Sequence, residues 1–446
     1  MNLIEFRQGS AALALMGSGA EPPYRGAVLA PSAGEGSSVE TEVLVSLEGT
    51  PAQIETALGA IQRWLTEAER AANLAGADYV FLAAQVISGA AVWRSKILSG
   101  WIELLGAGAD QRASGSQGLR LHLKRANYWE SAEEISLAIS SLANPAPTPG
   151  GVTVQNAWDS ANGNWVHLAA GGLGGDLPAP CRLYYDSAYG GNGTLYTGQN
   201  LSSAPASANL CLQGEDGFAA AGGAAVTDTP DASSSGGFFA RLTWSTAADM
   251  ALLELPLVNT LVTQLAGWPF LPILRLANPA GAGLWCYWRV IARAPGGDNV
   301  LAESRPAYLS ESARLNPGSP LHLPPWQVVQ GESQDGLYLQ LRCQADTSGS
   351  HTLDVDYVFL MPLEYWRQYR PVMSWMTHLR IEDDGCRGVV KSYSAMQGHT
   401  ADGPGFWLWP GREQRFYFLA EGVSGGVPVN QNALVFLYAR PRKRVL

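Results

Sequence analysis

The stretch Trp93-Arg94-Ser95-Lys96-Ile97-Leu98-Ser99-Gly100-Trp101-Ile102, answered downstream by Lys124-Arg125-Ala126-Asn127-Tyr128-Trp129-Glu130, decides how this chain folds. Ahead of the second stretch, Leu119, Leu121 and Leu123 alternate with Arg120, His122 and Lys124, the period-two pattern of a half-buried strand. Working outward, Tyr79 to Ala84, Ala91 to Arg94, Ile97 to Leu105 and Leu119 to Arg125 read as strands of one hairpin-rich sheet. Val43, Val45 and Leu47 add another, and Leu3 to Phe6 a short opening strand, with a long Gly/Ala/Pro/Ser connection over 8–40 between them. Thr50-Pro51 starts the one convincing helix. Thr50 suits the N-cap, Pro51 the first helical position, and Ile54, Leu58, Ile61, Leu65 and Ala68 fall on one stripe. The expectation for residues 1–144 is one helix lying on a sheet.

Composition bounds the rest. A chain of 446 residues predicts three domains, at roughly 150 residues each. Only 15% of residues are charged, and 50 Gly, 27 Pro and 15 Trp point to many turns and aromatic-rich sheets, with a surface partly covered by neighbours. No apolar run is long enough to span a bilayer, and Met1 to Phe6 lacks the basic flank of a signal peptide, so a soluble chain made in a cytoplasm is expected. The five cysteines, at 181, 211, 286, 343 and 386, are too far apart for a zinc knuckle or a CxxC pair and read as reduced, buried thiols. A net charge of -10 disfavours a duplex-binding surface.

Asn144-Pro145-Ala146-Pro147-Thr148-Pro149-Gly150-Gly151 reads as a linker, because spaced prolines forbid both helix and ladder. Beyond it, 150–365 shows short strand patterns between Gly, Asn, Asp and Pro, the spacing of a two-sheet jelly roll of carbohydrate-binding-module shape. A last segment, 366–446, continues in strands and ends on Ala433-Leu434-Val435-Phe436-Leu437-Tyr438-Ala439-Arg440-Pro441-Arg442-Lys443-Arg444.

Catalysis finds little support. Asp354 and Asp356 share a strand face and could set two carboxylates side by side, yet alternation with Leu353, Val355 and Tyr357 reads them as the solvated side of a half-buried strand. Glu382-Asp383-Asp384 before Gly385 reads as an acidic turn rather than a calcium loop. The six histidines form no ligand pair, no GxSxG elbow exists, and the glycine stretch 171–175 lacks the Lys-Ser/Thr of a phosphate loop. No enzyme activity, metal or cofactor is expected. Binding reads better. Trp158, Asp159, Asn162, Asn164, Trp165 and Tyr184 lie in one aromatic-rich region and make a candidate glycan site, rings stacking on sugars while Asn and Asp hold hydroxyls; the competing reading is aromatic core filler. The basic tail Arg440 to Arg444 reads as a partner for an acidic neighbouring subunit.

The Trp93–Ile102 and Lys124–Glu130 stretches, with the helix before them, resemble the N-terminal ring-forming domain of tail proteins from long-tailed phages and prophages, particularly the distal tail, baseplate-hub type. Gly174-Gly175-Asp176-Leu177-Pro178-Ala179-Pro180 and Leu353 to Pro362 resemble segments of the jelly-roll part of such proteins, and the ending Arg440-Pro441-Arg442-Lys443-Arg444 is similar to their C-terminus. The resemblance implies a mainly β protein: a tail-tube-like β-sandwich with one α-helix, a central jelly-roll β-sandwich, and C-terminal strands that return to complete the first domain. It further implies a virion protein of a non-contractile tail, a homo-oligomeric ring, trimeric or hexameric, at the tail tip. Tube, hub and tape-measure proteins would be its partners, with DNA passing through the lumen without specific binding and no membrane contact. The alternatives are a carbohydrate-binding tail adhesin recognising host glycans, or a tail tube or minor decoration protein.

Overall fold

The computed structural model describes residues 1–30, 36–74, 77–106, 112–156, 163–187, 194–201, 210–220, 222–257, 267–294, 297–323, 336–371, 379–385, 389–392, 399–420, 422–424, 427–429 and 431–446. The chain is mainly β, with one α-helix among the described residues and antiparallel sheets that pair into sandwiches. It divides into two compact units: Met1–Ile135 with Leu173–Ala179 and Ala439–Leu446, and Ser136–Gly172 with Pro180–Tyr438.

The first unit contains β1 (Leu3–Gln8), β2 (Ala11–Met16), β3 (Tyr24–Leu29), β4 (Ser38–Glu48), α1 (Pro51–Ala72), β5 (Phe81–Gln85), β6 (Trp93–Leu105), β7 (Ser116–Ala126) and β8 (Trp129–Ser131). Hydrogen bonding orders the sheet β2-β1-β5-β6-β7-β4-β3, and its terminal strands β2 and β3 approach each other, so the sheet curls around the helix. β2 and β3 occupy the 8–40 stretch expected to be a connection: Ala11–Met16 pairs with β1 and Tyr24–Leu29 with β4. Residues 31–35 lie outside the described residues. Thr50 closes a capping box with Gln53, and Ile54, Ala57, Ile61, Leu65, Ala68 and Ala71 bury one face of α1 against Val43, Val45, Leu119, Leu121 and Leu123. At Gly100 a Cβ would meet Leu65 of α1 at 3.0 Å and the His122 carbonyl oxygen at 2.9 Å, so glycine is what lets helix and sheet close here.

Among the described residues the second unit has four larger sheets, beside the two-stranded pair Gly422–Ser424 and Val427–Val429. The first sheet runs Val152–Asn156, Gln431–Ala439, Ala179–Ser187, Leu379–Asp384, Val389–Ser392; the second runs Trp165–Leu168, Gln414–Leu419, Leu195–Asn200, Tyr365–Pro371, His399–Asp402. The third runs Ala225–Pro230, Phe238–Trp244, His351–Pro362, Pro269–Leu276, Leu315–Pro317, and the fourth Phe218–Ala219, Met250–Pro256, Leu337–Ala345, Leu284–Ala294, Gly297–Glu303. Tyr185 of the first sheet stacks on Phe418 of the second at 5.6 Å, and Tyr417 on the opposite side of that strand meets Phe359 of the third at 6.2 Å. Leu242 and Leu353 of the third sheet share a core with Leu339, Leu341 and Trp288 of the fourth.

Burial follows the layering. Strands of the middle sheets are covered on both sides: every residue of Leu195–Asn200 and Gln414–Leu419 is buried, as is His351–Pro362 from Leu353 onward. Ala179–Ser187 in an outer sheet alternates instead, with Arg182, Tyr184 and Asp186 half-exposed. Where the second sheet crosses the third, a Cβ on Gly198 would lie 2.2 Å from the Pro362 carbonyl oxygen.

This order differs from the expected division into 1–144, 150–365 and 366–446. Residues 211–362 supply the third and fourth sheets, inserted between Leu195–Asn200 and Tyr365–Pro371, which are paired neighbours in the second sheet. Tyr365–Pro371, Leu379–Asp384, Gln414–Leu419 and Gln431–Ala439 therefore pair with strands within 152–200, and no strand residue from 365 through Tyr438 belongs to the first unit. Only Ala439–Leu446 does, with Arg442–Lys443 pairing β8. The proline-rich stretch is no boundary either: Ile139 bridges Thr148, and the Asn144 side chain accepts from the Thr153 amide at 2.8 Å, all within the second unit.

Asp354 and Asp356 also correct the reading from alternation. Neither is on a solvated face: Asp354 is buried and Asp356 is 0% exposed. Their strand lies in a middle layer, and an irregularity between Arg275 and Leu276 on its neighbour shifts the register at this point. Arg241 grips Asp354 with two bonds of 2.8 and 2.9 Å, and Asn278 adds a third at 2.8 Å. Asp356 pairs with fully buried Arg275 and accepts from the Ser235 amide at 2.8 Å. Glu382 and Asp383 likewise sit in a strand, bonded to Arg182 and Arg367, rather than in a turn.

Candidate functional site

The side of the first unit's sheet turned away from α1 carries the most distinctive cluster of that unit. Because Val43, Val45 and Leu47 point inward, Glu40, Glu42, Leu44 and Ser46 of β4 point outward, and the register places Glu42, His122 and Trp101 in one row across β4, β7 and β6. Trp101 is 56% exposed and lies flat on His122, with ring centroids 3.9 Å apart and planes inclined by 10°. Both nitrogens of His122 face carboxylates, Nε2 with Glu103 at 2.9 Å and Nδ1 with Glu42 at 3.5 Å. Arg120, in the next row, reaches Glu103 at 3.3 Å and Glu42 at 3.4 Å. The bond to His122 and the Arg120 charge hold the Glu103 carboxyl below the usual carboxylate range.

Around Trp101 these side chains line a shallow depression of about 470 Å³ floored by Ser99 and Gly100 and rimmed by Glu40, Glu42 and Lys124. Toward β3 the same face turns apolar, with Val28 and Leu44 opposite each other and both exposed. Chemically this is an apolar and aromatic strip edged by both signs of charge. Among the described residues no group of three or more His, Cys, Asp or Glu could hold a metal ion. Such a strip can bury area against a second surface, with charged groups fixing its register.

Of the six residues of the expected glycan site, three are described, and the structure does not bring Asn164 and Trp165 together with Tyr184. Trp158, Asp159 and Asn162 lie outside the described residues. Asn164 is fully buried, its carbonyl accepting from the Phe418 amide at 2.8 Å and its side-chain amide finding no partner among the described residues. Trp165 packs against the core that the second, third and fourth sheets share, with the Arg415 guanidinium 5.2 Å from its ring. Tyr184 belongs to the outer side of the first sheet, bonded to Asp186 at 3.2 Å and edge-on to Phe436 at 5.7 Å. Asn164 is thus buried and Trp165 half-buried against the core, and Tyr184 lies on the outer side of a different sheet. The basic tail also has its partners within the chain: Arg442 bonds Glu130 at 3.3 Å and covers the Tyr128 ring at 3.9 Å, and Lys443 covers Trp93 at 3.9 Å. The alternation of Leu119, Leu121 and Leu123 marked His122 as a polar-side residue of its strand, but its meeting with Trp101 required the β6–β7 register, which shifts between Ile97 and Ser99.

No family model matches this sequence, and no curated protein matches it. Among solved structures it is similar to the CBM22-1 and GH10 modules of a Clostridium thermocellum endo-1,4-β-D-xylanase complexed with xylohexaose, at 10% identity and a TM-score of 0.22 over 34% of this chain and 27% of that one. The chain thus spans about a quarter of the length of that structure. A putative secreted protein from Parabacteroides distasonis matches at 10% identity and a TM-score of 0.16, over 51% of this chain and 98% of that one. A structure of infectious bursal disease virus, Gt strain, matches at 10% identity and a TM-score of 0.16, over 81% of this chain and 82% of that one. Likenesses at these scores carry no argument about function.

Proposed function

We propose that this protein is a non-enzymatic structural subunit of a long, non-contractile phage-type tail, assembling with copies of itself into a ring near the distal end. The observation that supports it most directly is the open face of the β3-β4-β7-β6 sheet, where exposed Trp101, Val28 and Leu44 lie beside paired charges of both signs. Exposed apolar area rimmed by polar groups favours association, and a patch carrying both signs can meet a copy of itself. The sequence resemblance to distal tail proteins points the same way, since those proteins work as hubs on which tube and tip components dock. Function in this reading is geometry: closed symmetry makes the hub, and a net charge of -10 favours a lumen that lets DNA slide without sticking.

Light scattering of the purified chain across concentrations, followed by negative-stain imaging, tests the reading. A closed oligomer with a central hole is expected, and Trp101→Asp should shift it to monomer while the fold persists. A monomer at every concentration, with no ring in the presence of tail-tube protein, would overturn it.

A further inference from the structure

In the strand Leu284–Ala294, Leu284, Cys286, Trp288 and Val290 are buried in the core, which turns Trp285, Tyr287 and Arg289 outward from the fourth sheet of the second unit. The register sets Trp285 opposite Gln344, Tyr287 opposite Arg342 and Arg289 opposite Gln340, so both strands present polar and aromatic groups on the same side. A hydrogen-bonded ladder crosses this face. Arg293 donates to Glu254 at 2.7 Å and to Asp298 at 3.2 Å, while Gln340 donates to the other oxygen of Glu254 at 2.8 Å and accepts from Arg342 at 3.3 Å. Arg342 donates to Asp249 at 2.8 Å and to the Tyr287 hydroxyl at 2.8 Å, and that hydroxyl donates on to Asp249 at 2.8 Å.

Aromatic pairs stand at both ends of the ladder. Phe218 meets Tyr338 edge-on at 5.4 Å, and Trp285 meets Tyr308 edge-on at 5.0 Å, with the Trp285 indole tethered to Asp346 at 3.1 Å. Phe218, Trp285 and Tyr308 are 39%, 38% and 46% exposed. Tyr338 and Gln344, which mark the two ends, are six residues apart on one strand, roughly 20 Å at the strand rise.

The charge balance narrows what this face can take. Arg289 pairs with Glu303, Arg293 with Glu254 and Asp298, and Arg342 with Asp249, so each of these cations is answered on the sheet itself. A polyanion or a basic segment would have to break those pairs to bind. A ligand with apolar ring faces and many neutral hydroxyls would not: the aromatic rings offer flat stacking surfaces, and the ladder holds donors and acceptors already ordered, which lowers the entropic cost of engaging them. We propose that this face binds a chain of neutral sugar residues, with the Trp285–Tyr308 and Phe218–Tyr338 pairs stacking on rings and Arg342 and Asp249 meeting hydroxyls between them. The inference stands apart from the assembly reading, since the face belongs to the second unit and serves a monomer as well as a ring.

A printed array of neutral and anionic glycans, probed with the full chain, tests it. Binding to one or more neutral glycans is expected, insensitive to added salt. Trp285→Ala and Phe218→Ala should each lose most of that signal, Trp285→Phe should keep part of it, and thermal unfolding should confirm that all three remain folded. Signal on sulfated or sialylated glycans alone, neutral binding that Trp285→Ala and Phe218→Ala leave unchanged, or no signal on any neutral glycan overturns the proposal.

Discussion

A carboxyl group with no access to water must be answered by the protein, and at Asp356 the answer is partial. Burial pushes its pKa up to about 7, with Glu215 adding to the rise, against the pull of Arg275 and the Ser235 amide. The ordinary value is 3.8, so between about pH 4 and pH 7 the folded chain holds a proton that the unfolded chain has released. Stability from this group is therefore complete below pH 4 and is lost as pH rises through about 7, at a slope of at most about 1.4 kcal/mol per pH unit. Denaturant titrations of the wild type should show the second unit weakening from pH 5 to pH 8, and Asp356→Asn, which fixes the neutral form, should flatten that slope. Parallel profiles for the two proteins would remove Asp356 from the account. Nothing in the local pattern Leu353-Asp354-Val355-Asp356-Tyr357 marks these acids as buried. Alternation reports which side a residue faces, while what covers that side is set by strands far away in the chain.

The elements divide by how local their causes are. α1 was legible because its signals lie within its own residues: the Thr50 hydroxyl accepts from the Gln53 amide at 3.3 Å, and the Gln53 side chain accepts from the Thr50 amide at 2.8 Å. Thr50→Ala should cost about 1 kcal/mol, lowering the melting temperature of the first unit by about 2–4 °C, whereas Thr50→Ser should restore it; calorimetry reads both. β7 was equally legible, since Leu119, Leu121 and Leu123 alternate in an outer layer as the pattern requires. The middle-layer strands were not. Leu195-Tyr196-Thr197-Gly198-Gln199-Asn200 is polar by composition yet wholly buried, because Gln199 bonds the Trp407 carbonyl and the Gln414 side chain, and Thr197 the Arg367 carbonyl. Those partners come from beyond residue 365, so no window of sequence contains the reason. Which aromatic residues meet was hidden for a related cause. Trp165 and Tyr184 are near neighbours in sequence but sit in different sheets, while Trp101 with His122 and Trp285 with Tyr308 are joined only by register or by a returning strand.

At the scale of the whole molecule the chain is built by nested insertion, and its last residues carry a consequence of that order. After the long excursion through the second unit, Ala439–Leu446 rejoins the first. The Arg442 carbonyl accepts from the Asp176 and Leu177 amides at 2.9 and 3.1 Å, Arg444 donates its amide to Asp176 at 2.9 Å, and Leu446 packs against the core that holds α1. Arg442 shares buried Glu130 with Arg94, which bonds the same carboxylate at 3.0 Å. Removing residues 440–446 would strip β8 of its outer neighbour, leave Glu130 with one cation instead of two, and open part of the core to water. Because Arg94 still answers Glu130, the loss should fall short of a broken buried pair, on the order of 2–3 kcal/mol. All of it should fall on the first unit, since the second is complete at Tyr438. Scanning calorimetry of the truncated chain should then show one transition moved to lower temperature and the other unmoved. Equal shifts in both would mean that the two units unfold as a single cooperative block, and the C-terminal residues would have to be counted as support for the whole chain.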